Sequence, residues 1–268
     1  MIASLAARLL PTEVFEARRP QRLIERHLMI VRSGEWLIVL SGLFEPIFYL
    51  LSIRVGFGAL VGDVVDHGRS VPYAEFVAPA LMAASAMNGA VYESTMNLFA
   101  NLRFARTFDS VLNTPVTAPD VALGEIGYSA MRGALYSVAF LVTMAVLGMT
   151  STWWSLLTVP LAVLLALAFS AVGMASATWM RSWEDTEYVT TATLPLFLFS
   201  ATFYPAAAYG DWQWILHLSP LYHGVELIRG ASLGVWQWSY VWHFGFLVAM
   251  FAIGVSIAAR RIQHLLLK

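Results

Sequence analysis

The chain contains no cysteine. Disulfides, thiol nucleophiles and thiolate metal sites are therefore excluded, and the redox compartment is left open. Lysine is nearly absent too: beside 15 arginines there is one lysine, Lys268. A Walker A loop needs a lysine at the phosphates, and a retinal-type Schiff base needs a buried one. Neither chemistry is available, so the chain is expected to be no enzyme and to have no ATP site of its own. Charge is sparse, at 12% of 268 residues, where soluble domains carry about 25%. The net charge of −1 gives no electrostatic footprint for nucleic acid. No HExxH or paired Asp-rich motif, no internal repeat and no low-complexity segment is found.

What is abundant is apolar sequence, 59% of the chain. It lies in runs near the length of about 20 residues that crosses roughly 30 Å of hydrocarbon. The expected fold is an all-α integral membrane protein with six transmembrane helices, over about 36–57, 76–98, 121–148, 153–180, 188–204 and 240–259. Residues 1–35 form an interfacial N-terminal segment, 36–260 the six-span domain and 261–268 a tail. Residues 1–32 lack an uninterrupted apolar core and carry arginines throughout, which argues against a signal peptide. After Pro20, Leu23, Ile24, Leu28 and Val31 oppose Arg22, Glu25, Arg26 and Arg32, the pattern of a basic amphipathic helix lying in the interface.

Orientation follows from arginine and lysine. With both termini in the cytoplasm, the inner segments hold Arg8, Arg18, Arg19, Arg22, Arg26, Arg32, Arg103, Arg106, Arg181, Arg260, Arg261 and Lys268, and the outer ones only Arg69 and Arg229. Twelve against two sets a multi-pass protein of the cell membrane with both ends inside. Between spans 5 and 6, residues 206–239 are too apolar for an ordinary loop, and two short outer helices broken at Ser219-Pro220 fit best. Trp212, Trp214, Tyr222, Trp236, Trp238 and Trp242 suit an aromatic belt at the outer headgroups.

Ionisable groups inside the bilayer are costly and mark sites or structural pairs. Glu45, before Pro46 in span 1, is either a substrate or proton site or a hydrogen-bonded kink residue. Glu93 and Asn97 fall in the inner part of span 2 and Arg132 in the inner half of span 3. A structural pair of Glu93, or Glu125, with Arg132 is the economical reading, since a lone buried charge is expensive. His217 and His223 have no third ligand beside them and read as polar tips snorkelling to the interface. Asp63 and Asp66 read as a solvated loop.

Between spans 2 and 3 lies Asn101–Pro115. Phe104, Phe108, Val111 and Leu112 fall on one helical face; Arg103, Arg106, Thr107, Ser110 and Asn113 fall on the other. Pro115 ends the helix. Four stretches together resemble the permeases of type-2 ABC exporters, in the subgroup of nodulation lipo-oligosaccharide and daunorubicin-type drug export. They are Leu40–Leu51 (LSGLFEPIFYLL), Phe108–Val116 (FDSVLNTPV), Leu194–Pro205 (LPLFLFSATFYP) and Ser219–Arg229 (SPLYHGVELIR). The resemblance covers nearly the whole chain. It implies two permease subunits, the same chain or a homologue in the second place, and two copies of a separate ABC ATP-binding subunit. ATP and Mg would sit on that partner, and this chain would bind no cofactor or metal. The segment matching Leu102–Val116 would be the coupling helix, with Arg103, Phe104, Arg106, Phe108, Asp109, Val111, Leu112, Asn113 and Pro115 against the ATPase.

The expected function is export of an amphipathic substrate: a lipid, a lipid-linked saccharide or a hydrophobic drug. Candidates to line the path are Glu45, Tyr49, Glu93, Phe199, Phe203 and Tyr204. The competing reading is a proton-coupled secondary transporter using Glu45 and Glu93; the lack of a repeat argues against it.

Overall fold

A computed structural model describes residues 44, 46–103, 118–150 and 152–266. Four helices are long and apolar enough to cross a bilayer: α2 (Tyr73–Asn101), α3 (Asp120–Val146), α4 (Trp153–Ala177) and α8 (Ser239–Leu265). A shorter apolar helix, α1 (Pro46–Phe57), precedes them. α5 (Glu184–Leu198), α6 (Gln213–Leu216) and α7 (Pro220–Leu233) lie between α4 and α8. The first expected span begins in residues outside those described. The fifth differs in kind: α5 has 15 residues, and its helix ends six residues before Tyr204.

α2 is the centre of the bundle. Pro72 precedes it with φ −52°, a geometry that proline supplies without effort. Glu75 lies in the first turn, where the helix dipole favours an acid. Its alanines at 78, 80, 83, 84, 86 and 90 are all buried. Small residues let neighbouring backbones approach, which drives helix association where lipid tails are as apolar as leucine. α3, α4 and α7 pack around it. The α-helix gives way to a π segment at Glu93–Asn97, a distortion frequent at functional sites.

α4 and α8 share the most extensive helix contact. Within it a Cβ on Gly254 would lie 2.8 Å from the backbone of Ala171, so only glycine fits there without a shift. Gly245, on the same helix, has nothing within 4 Å of that position.

Two strands form where the sequence suggested a solvated loop. β1 (Asp63–Asp66) pairs antiparallel with β2 (Arg69–Pro72), joining Asp66 to Arg69. His67 (φ 47°) and Gly68 (φ 76°) form the turn; positive φ at both central positions matches the right-handed twist of a two-residue hairpin. α7 begins on Pro220 at its first turn and ends on Gly234 in the left-handed conformation, the usual proline-in, glycine-out punctuation. Every residue from Leu221 to Ser232 is buried, so α7 is enclosed by protein and does not lie on a surface. α8 continues beyond the expected end of span 6, through residues assigned to the tail.

Gly254→Ala should lower the melting temperature in detergent, with a cost of about 1–3 kcal/mol typical of overpacking. Gly245→Ala should leave it unchanged or raise it. Equal effects at the two positions would mean that the α4–α8 approach is not tight.

Candidate functional site

Two polar clusters stand out, one at the hairpin end of the bundle and one toward the opposite end of α2.

The first is built around Arg229, which is 2% exposed. Its Nε donates to Phe76 O (3.1 Å), Nη2 to Ala201 O (2.7 Å) and Nη1 to Glu226 Oε1 (3.4 Å). Its guanidinium also stacks 3.8 Å from the centre of the Phe76 ring. One side chain thus joins the start of α2, the segment after α5, and α7. Ala201 adopts φ 54°, uncommon for a residue with a Cβ. Its carbonyl is thereby held by Arg229, and the chain cannot continue as helix to Tyr204. That explains the early end of α5. Pro195 inside the helix weakens the preceding turn as well.

The hairpin completes the cluster. His67 Nδ1 lies 3.2 Å from Asp66 Oδ2, and its Nε2 lies 3.7 Å from Glu226 Oε2. Asp66 is buried. Burial pushes its carboxyl up, but His67 and Arg229 outweigh this and hold it below the ordinary range. His67 is pushed above its ordinary value, chiefly by its hydrogen bond to Asp66, against burial. Asp66, expected in a solvated loop, and Arg229, expected as an outer-segment charge, are both inside the protein. His223 is buried as well, with Nδ1 2.6 Å from His243 Nδ1 and Nε2 3.1 Å from His217 O. It is stacked on Phe246 and does not snorkel. Tyr222 is also buried, unlike the exposed Trp212, Trp214, Trp236, Trp238 and Trp242.

The second cluster joins α2 to α3. Arg132 Nη1 pairs with Glu93 Oε2, and Asn97 Nδ2 donates to Glu93 Oε1. Arg132 Nε donates to Tyr136 OH at 3.0 Å. The π segment turns Glu93 inward, where it is 5% exposed. A cavity of 370 Å³ opens beside the pair, walled by Ser85 and Asn88 of α2, Arg132 and Tyr136 of α3, and Thr190 and Thr193 of α5.

The other path candidates are dispersed. Tyr49, Phe199 and Tyr204 are about half exposed or more, while Phe203 packs edge-on against Phe197. Tyr204 lies near Tyr73 at the hairpin end, and Glu93 is roughly 30 Å further along α2 at helical rise. These residues do not form one site. Glu45 and Phe104–Pro115 lie outside the described residues, as does the side chain of Arg103. Among the described residues no cluster of three or more metal-ligating side chains occurs.

A family model described as ABC-2 type transporter matches residues 21–233. The chain belongs to the ABC-2 type transporter family. Relatives agree with this. "Nodulation protein J" of Rhizobium meliloti (strain 1021) is 33% identical over 199 residues, 73% of this chain and 74% of that protein. The protein of the same name from Sinorhizobium fredii is 30% identical over 243 residues, 88% and 91% of the two chains. "Inner membrane transport permease YadH" of Escherichia coli (strain K12) is 27% identical over 227 residues, 81% and 87%. The chain is thus a transmembrane permease of an ABC transporter, a membrane subunit and not an enzyme. Membership in the ABC-2 family implies association with an ABC ATP-binding subunit.

Breaking one partner of a buried pair leaves an uncompensated charge and costs about 3–5 kcal/mol. Glu93→Leu should therefore lower thermal stability strongly, and the double variant Glu93→Leu/Arg132→Leu should recover most of the loss. A double variant as weak as the single one would show that the pair is not the cause.

At the hairpin the sign of the pH effect is set by the two shifts. The raised value at His67 stabilises the fold fully below about pH 6.5, and that contribution is lost as pH rises through the folded-state value. The lowered value at Asp66 contributes above about pH 4 and is lost only as pH falls through its folded value. Between pH 6 and 9 the melting temperature should fall in the wild type and much less in His67→Asn, which keeps a residue tolerant of positive φ. Parallel curves would remove His67 as the titrating group.

Proposed function

We propose that this chain is the permease subunit of an ATP-driven exporter that moves an amphipathic substrate out of the cytoplasm or the inner leaflet. ATP and Mg belong to a partner: two ABC ATP-binding subunits dock on the segment 102–116. A second permease, this chain or a homologue, completes the transporter. Six spans with both termini in the cytoplasm, in the inner or plasma membrane, complete the reading. The excess of arginine on one set of segments supports the orientation. The name of the Escherichia coli relative, an inner membrane transport permease, supports the membrane.

The observation that carries the coupling role is that α2 and α3, the helices flanking that segment, are locked to each other by Glu93 and Arg132. A push on the segment would reach a pair of helices that moves as one body. Phe104, Phe108 and Leu112 would take that push. The proton-coupled alternative loses ground because Glu93 is committed to Arg132 and Asn97.

The test is Phe108→Asp in the complete transporter. Co-purification of the ATPase subunit and ATP-dependent transport should both fall at least tenfold, while the permease folds as before. Unchanged partner binding and hydrolysis would sink the coupling assignment. Collapse of transport by a protonophore with ATP intact would favour the proton-coupled alternative.

A further inference from the structure

The cavity between α2, α3 and α5 carries polar groups that the fold leaves unused. Ser85 lines the cavity, and its Oγ is buried with no hydrogen-bond partner among the described residues. Ser85 is 5% exposed, and a buried hydroxyl without a partner is costly enough to need an explanation. Asn88, one turn along α2, also lines the cavity and carries a side-chain amide. Arg132 uses Nε on Tyr136 and Nη1 on Glu93. A guanidinium has five N–H donors, so several remain for the cavity. Thr193 and Thr190, which also line the cavity, donate their hydroxyls to carbonyls of their own helix. No carboxylate is among the described lining residues; Glu93 pairs with Arg132.

Depth decides what such a site can serve. Ser85 lies roughly 18 Å along α2 from Tyr73, and Arg132 roughly 18 Å along α3 from Asp120. Both positions fall near the middle of a hydrocarbon layer of about 30 Å. Headgroups of resident lipids stay at the interfaces. A cluster of donors at mid-depth suits a polar group being carried across, because unsatisfied polar groups are most costly there. The cavity volume of 370 Å³ is within the range of small-molecule sites, about 300–1,000 Å³. The wall formed by α5 is lightly held: Tyr188, Leu194 and Leu198 are exposed, so that wall can yield to admit a headgroup whose tail stays in lipid.

We propose that this cavity holds the oxygen-rich headgroup of the transported amphiphile midway across the bilayer, with Arg132, Asn88 and Ser85 donating hydrogen bonds to it. The proposal rests on the exporter reading for its cargo. The chemistry recognised is a compact set of acceptor oxygens, which a phosphate or a sugar ring can present. Arg132 also holds the fold together, so the informative variants are Asn88→Leu and Ser85→Ala.

The experiment uses the full-length permease in phosphatidylcholine nanodiscs, titrated with dodecyl phosphate or with octyl glucoside and followed by thermal shift. Saturable binding of one probe is expected, weakened about tenfold in Asn88→Leu and several-fold in Ser85→Ala. Dodecyl phosphate as the tighter probe would identify a phosphate headgroup, and octyl glucoside a glycosyl one. Ser85→Ala should leave the unliganded melting temperature equal or higher, because it removes an unpaired hydroxyl, while binding weakens. A purely structural serine would not separate the two readouts. Absence of saturable binding by either probe, or binding indifferent to both variants, would overturn the proposal. Neither ATP nor the partner subunit is required, so a negative result here beside an intact Phe108 effect would refute this site and leave the exporter reading standing.

Discussion

A guanidinium shut away from water must find all its partners within the protein, and Arg229 does so by reaching four parts of the chain. Its contacts with Phe76, Ala201 and Glu226, and through Glu226 with His67, tie α2, the end of α5, α7 and the hairpin together. None of these elements has a large exclusive core of its own. α5 is mostly exposed, the hairpin has two strands of four residues, and α7 is 14 residues long. A two-stranded ribbon alone is marginal in water. Their arrangement depends on satisfying one buried charge. Because leaving Glu226 unpaired would be strongly unfavourable, the alternatives to this packing are few.

The Glu93–Arg132 pair works differently. It joins two long helices that already pack through small residues, so it adds orientation more than adhesion. The π segment that turns Glu93 inward also exposes the guanidinium to the cavity while hiding the carboxylate. That asymmetry converts a neutral pair into a surface rich in donors. The two clusters sit at different depths. One closes the hairpin end of the bundle, and the other lies further along α2 beside a helix that is lightly held.

Much of the architecture was legible in the chain. The apolar runs that became α2, α3, α4 and α8 are long, sparsely charged and bounded by turn residues, and a helix satisfies its backbone groups internally in lipid. The break at Ser219-Pro220 was legible too, because proline pre-sets the first turn of a helix. Helix rise puts Glu93 and Arg132 at comparable depth, but depth leaves Glu93 and Glu125 as equal partners, and the π segment makes the difference. The end of α5 could not be read: nothing in Leu198–Tyr204 forbids helix, and the positive φ at Ala201 follows from a carbonyl drawn to an arginine 28 residues away. Asp66, His223 and Arg229 were misread for the same reason, since polar residues in a short apolar stretch look interfacial until a second element covers them.

The sequence by itself determined that the chain lives in a membrane, that it carries no lysine where a Walker A loop would need one, and which family it belongs to. These follow from composition, from a missing residue type and from ordered motifs, which need no knowledge of neighbours. Only the tertiary structure decided which polar groups are spent on one another and which remain. Arg229 is consumed by the fold, while Arg132, Asn88 and Ser85 keep donors toward a cavity. The physical reason is that a hydrogen-bond donor counts as free only after every element that could accept from it has been placed.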